Sequence, residues 1–163
     1  MDDRAVVERQ LGRSPRALRR VAVRCPYGRP AVTEQSPFDD AGAPFPTTYY
    51  LTCPHLVARI ARLEAAGGVE EWTARTREEG ELAESLARAN DEQRALRREL
   101  AAGREHPSLE LGVGGAGRDG SLKCLHAHAA YALARPGYRL GDEILAAAEP
   151  LWPADRCCID AHR

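Results

Sequence analysis

The sequence is nearly without lysine: of its 23 basic residues only Lys123 is one, and the other 22 are arginine. It also lacks an excess of either charge, with 24 acidic residues, a net charge of -1 and a pI of about 6.5. That balance argues against a general nucleic-acid binder, which carries a basic surplus. No stretch approaches the ~20 apolar residues that span a bilayer, so no membrane partner is expected. The opening Met1-Asp2-Asp3-Arg4 has no apolar core of a signal peptide. Together these absences point to a cytoplasmic protein. What is abundant is arginine and alanine (28 alanines), the mark of GC-rich coding, against which the single lysine stands out.

At 163 residues and 17.8 kDa the chain has one domain's length, enough to build a core without disulfides. Its five cysteines, Cys25, Cys53, Cys124, Cys157 and Cys158, would sit in a reducing compartment, where metal binding or catalysis is the commoner use.

Apolar spacing and turn residues divide the chain into a helix within 1–15, a sheet plus helix over 16–68 and a long helix within 69–103. A Gly-rich linker over 104–121 and a Cys/His helix with a C-terminal segment over 122–163 follow. Alternation around Val21 and Val23, then Pro26 to Pro30, then Ala31-Val32-Thr33 predicts a β-hairpin. Thr47 to Leu51 is rich in β-branched and aromatic residues and predicts a third strand. Cys53-Pro54 opens a helix with proline at its first position, and Gly67-Gly68 ends it. From Glu70 to Leu100 runs a polar segment whose Leu82, Leu86, Ala89, Gln93, Leu96 and Leu100 repeat every seven residues. This stripe packs on the body, or pairs over 76–100 with a coiled-coil protein partner. Gly112 to Gly120 is read as a flexible linker. Ser121 caps a helix from Leu122 to Ala134, and Gly141-Asp142 opens a last helix through Ala148. The expected fold is α+β: a small antiparallel sheet of about three strands with four or five helices, one long and amphipathic.

The chemistry-bearing residues concentrate in Lys123-Cys124-Leu125-His126-Ala127-His128. On a helix, residues four apart share a face, so Cys124 and His128 are positioned for one ion while His126 points away. A structural zinc takes four ligands. Cys25 and Cys53, each at a strand end and each followed by proline, are the natural remaining donors. The expected metal set is therefore Cys25, Cys53, Cys124 and His128, with His126 as alternative ligand. Zinc is the expected ion and an iron–sulfur cluster the second choice. A competing reading makes Cys124 or Cys53 a nucleophile at a helix N-terminus, with His126 or His128 as base and Lys123 as a nearby charge. A third makes the chain an interaction module with a purely structural Cys/His cluster. Cys157 and Cys158 receive no role.

Three blocks carry a family resemblance: Arg24-Cys25-Pro26-Tyr27-Gly28, Pro44-Phe45-Pro46-Thr47-Thr48-Tyr49-Tyr50-Leu51-Thr52-Cys53-Pro54, and Lys123-Cys124-Leu125-His126-Ala127-His128. With these spacings the chain resembles the bacterial family known as "domain of unknown function 501". The family has no established activity. Its members are often encoded beside enolase, a coiled-coil septum-formation initiator and an exopolyphosphatase-like enzyme. What the resemblance implies is a role beside cell division or polyphosphate metabolism, an association by neighbourhood only.

Overall fold

The computed structural model describes residues 2–160; Met1 and the last three residues of the C-terminal segment lie outside that span. Asp2 caps the helix Asp3–Leu11 (α1), accepting from the Arg4 amide, and Gly12 closes it with φ 70°. The strands Leu18–Arg24 (β1), Pro30–Gln35 (β2) and Tyr49–Leu51 (β3) form an antiparallel sheet in the order β1-β2-β3. The expected hairpin and third strand are thus present, the latter shorter than 47–51. Every residue of the central β2 is buried, including Glu34. That carboxylate is clamped by Arg19 at 2.7 Å and Arg20 at 2.6 Å. Neighbours on a regular strand face opposite ways. The pairing irregularity between Leu18 and Arg20 accompanies the convergence of both guanidiniums on one acceptor.

Six α-helices are found among the described residues, more than expected: α1, Pro54–Ala65 (α2), Gly68–Glu78 (α3), Gly80–Ala101 (α4), Leu125–Ala134 (α5) and Arg139–Ala147 (α6). The class is α+β. The long helix anticipated over Glu70 to Leu100 is two helices, interrupted at Glu79, whose φ -104° and ψ 107° are extended. Angular phase gives the reason. On one continuous helix the buried Trp72 and Thr76 of α3 would lie about 90° round the axis from the α4 stripe. The break lets both faces meet the body. In α4, Leu82, Leu86, Ala89 and Gln93 are buried within this chain. The anticipated coiled-coil seam is thereby largely occupied by the protein's own core.

Central to the core is α5, whose Leu125, Ala127, His128, Ala129, Ala130, Tyr131 and Ala132 are all buried. Its small residues admit close neighbours. A Cβ built on Gly141 of α6 would stand 2.6 Å from Ala132 Cβ and 2.7 Å from the His128 carbonyl. The helix starts at Leu125 rather than Leu122, because Ser121 turns its hydroxyl to the Arg118 carbonyl and the extended Cys124 takes the N-cap position. The last helix starts two residues before Gly141.

Nor is the Gly-rich segment a loose linker. Two short 3-10 turns, Pro107–Glu110 and Val113–Gly115, pack along α4. Asn90 Oδ1 accepts from the Val113 amide at 2.9 Å, and Gln93 Nε2 donates to the Gly112 carbonyl at 2.5 Å. Buried amides on α4 thus satisfy a backbone that glycine brings close.

Candidate functional site

Both β1 and β3 run antiparallel to β2, so they point the same way and finish at one end of the sheet. Cys25 follows β1 directly, in a turn where its amide bonds the Arg29 carbonyl and Gly28, at φ 79°, returns its own amide to the Cys25 carbonyl. Cys53 follows the short β3 as N-cap of α2, with Pro54 at the first helical position. Each cysteine thus stands at a strand end, as expected, and the topology puts both at the same end of the sheet.

Their partners come from the far end of the chain. Beyond α6 the segment 148–160 crosses this end of the sheet, held by side chains from both cysteine-bearing elements. From α2, Arg59 Nε donates to the Ala148 carbonyl at 2.9 Å, and a His55 ring nitrogen stands 3.1 Å from the Pro150 carbonyl. From the hairpin turn, the Tyr27 hydroxyl donates to the Pro153 carbonyl, and Arg29 meets Asp160 at 3.2 Å. This docking sets Cys158 Sγ 3.9 Å from Cys53 Sγ, and brings Cys157 into the neighbourhood of Cys25. Cys25, Cys53 and Cys157 are buried, whereas Cys158 is half-buried. Burial, with the neighbouring Cys158 thiol, pushes the Cys53 thiol up to about 12. The amides of Leu56 and His55 pull the other way and lose. Burial beside Cys25 and Cys158 likewise pushes Cys157 up to about 11.

The remaining candidates lie elsewhere. Cys124 and His126 line a separate cavity of about 550 Å³, walled by Gln10, Tyr49, Thr52 and Val57 among others. Here burial raises the Cys124 thiol, with Glu64 adding to the rise and Lys123 opposing it. Both His126 nitrogens face acceptors: Nδ1 stands 2.6 Å from Glu64 and Nε2 stands 3.2 Å from the Val57 carbonyl. Lys123 is exposed, its ammonium near the Gly115 backbone.

His128 is fully buried on the other side of α5, with Nδ1 2.7 Å from the Tyr138 hydroxyl and Nε2 without a hydrogen-bond partner. Desolvation lowers it to about 4. Because α5 begins only at Leu125, Cys124 lies outside the helix and does not share a helical face with His128. Among the described residues no three His, Cys, Asp or Glu side chains are gathered around a common metal position. The set Cys25, Cys53, Cys124 and His128 is accordingly not assembled; the sulfurs of Cys53 and Cys158 stand instead as a facing pair at 3.9 Å.

Sequence reasoning put Cys25 and Cys53 each at a strand end, as in the structure, and gave Cys157 and Cys158 no role. One signal was available: two buried thiols at one sheet end need covering, and the other cysteine-rich segment was the adjacent pair.

Residues 21–146 match a family model described as "Protein of unknown function (DUF501)". The matched span contains Cys25, Cys53 and Cys124 and ends before Cys157. No curated protein and no solved structure matches the chain.

Proposed function

Since the chain belongs to this family of unknown function, and the family's description names no activity, we propose from the chain's own side chains that it is a cytoplasmic accessory protein binding zinc through cysteine. The ligands are Cys53 and Cys158, joined by Cys25 and Cys157. The observation that carries the reading is the 3.9 Å separation of Cys53 Sγ and Cys158 Sγ. Two thiolates on one tetrahedral zinc, with bonds of about 2.3 Å, stand about 3.8 Å apart. Cys157 is tied to Cys158 by their shared peptide bond, so a rearrangement of segment 148–160 and the hairpin turn would bring Cys157 and Cys25 in as the remaining two ligands. An all-cysteine set of ligands is common in structural zinc sites, and such an ion contributes directly to folding stability. Docked this way, the ion fastens segment 148–160 across the hairpin turn and the start of α2.

Elemental analysis of the native protein tests the reading. About one equivalent of zinc is expected, lost in Cys53→Ser and in Cys158→Ser and retained in Cys124→Ser. Metal-free native protein, or zinc that survives Cys53→Ser, would overturn it. Loss of zinc in Cys124→Ser with retention in Cys158→Ser would restore the ligand set expected from the sequence.

A further inference from the structure

Two facing thiols can do something besides hold an ion: they can cross-link. We propose that they form a peroxide-responsive clamp, in which Cys53 closes a disulfide with Cys158. The clamp uses two sulfurs of the zinc reading and rests on that reading only where oxidation releases the ion.

The geometry sets the pairing. Cys53 Sγ and Cys158 Sγ, at 3.9 Å, need approach by only about 2 Å to reach the S–S bond length of about 2.05 Å. Cys124 stands in another cavity and takes no part.

Access sets the order. Cys158 is half-buried and Cys53 is buried, so a peroxide meets Cys158 first. Its thiolate attacks one peroxide oxygen and becomes a sulfenic acid, and the other oxygen leaves as hydroxide and takes up a proton to form water. The Cys53 sulfur then attacks the sulfenic sulfur. The S–O bond breaks, and the hydroxyl leaves as a second water with the Cys53 proton. The bond consumes two thiols and one peroxide and yields two waters. A bound zinc loses its thiolate ligands as the bond forms and passes to solvent.

The cross-link ties the far end of the chain to the first half of the fold, Cys53 and Cys158 being 105 positions apart in sequence. Long closed loops give the largest constraint on the unfolded chain, here a Tm rise of roughly 10 °C.

The test treats zinc-loaded and chelator-stripped full-length protein with stoichiometric hydrogen peroxide, then alkylates in denaturant and maps the peptides. The expected result is a fall from the five thiols of the sequence, with a loss of about 2 Da per bond. The Cys53–Cys158 cross-linked peptide should appear, Cys124 should remain free, and the Tm rise should reverse with a dithiol reductant. Cys158→Ser should lose the cross-link to Cys53. A Cys157–Cys158 bond, an intermolecular disulfide, or sulfinic acid without a cross-link would overturn the clamp. Cross-links in a protein that never binds zinc would support the clamp and sink the zinc reading. A zinc protein that forms no cross-link would do the reverse.

Discussion

Lowering the pH from 7 to 5 should destabilise this protein through one residue, His128. Its ring is fully buried between helices and contacts one polar group, the Tyr138 hydroxyl at 2.7 Å. Desolvation holds it at about 4, against 6.5 for an ordinary histidine. The folded state therefore keeps a neutral ring through a range in which the unfolded chain takes up a proton. Stability from this group is full above pH 6.5 and is lost as pH falls from there toward 4. Linkage between these two values gives a loss of about 2 kcal/mol between pH 7 and 5. That is a large part of the stability of a domain this size. Asp142 opposes the trend, since burial raises its carboxyl and folding then favours the protonated form. The comparison that isolates the histidine is urea unfolding of wild type and His128→Asn across pH 7 to 4.5. The variant starts less stable, because it leaves a cavity, but its stability should fall less steeply. Parallel curves for the two proteins would refute the argument.

Two further outcomes follow from packing. Gly141→Ala places a methyl against Ala132, Tyr138 and the His128 carbonyl, all within 2.7 Å, and none of these is a flexible chain end. Overpacking outweighs the gain in helix propensity, for a net loss of about 2 kcal/mol and a Tm lower by several degrees. Gly80→Ala, with nothing within 4 Å, should be neutral or stabilising in the same thermal scan. Asn90→Ala removes the acceptor of the Val113 amide and should cost about 1–2 kcal/mol. Hydrogen exchange should show faster exchange at that amide; unchanged protection would show that 113–115 is held by something else.

The sheet was legible because alternation, turn residues and Cys-Pro steps each report locally on strands and helix starts. The strand order was not legible; in the structure two strands flank a third antiparallel to both, so β1 and β3 finish at one end of the sheet with Cys25 and Cys53 beyond them. The α3–α4 break was not legible, since no proline marks Glu79 and the interruption answers to where Trp72 and Leu82 must point in three dimensions. Cys124 and His128 misled through a three-residue error at a helix start. Counted inside the helix, Cys124 shares a face with His128; as its N-cap, it belongs to a different cavity. The role of Cys157 and Cys158 depends on where segment 148–160 docks, and that is decided by Arg59, His55 and Tyr27 reaching its carbonyls from distant parts of the chain.

The buried Glu34 has a consequence for how the hairpin finds its partner. The β1–β2 ladder is irregular at three places, so backbone hydrogen bonding alone discriminates weakly between alignments. Sliding β1 by one residue would carry Arg19 and Arg20 away and strand an ionised carboxylate in the interior, which costs several kcal/mol. Misaligned hairpins are thus penalised as soon as the core closes over β2. A carboxylate that adds little net stability acts as a proofreading device, rejecting the wrong pairing during folding.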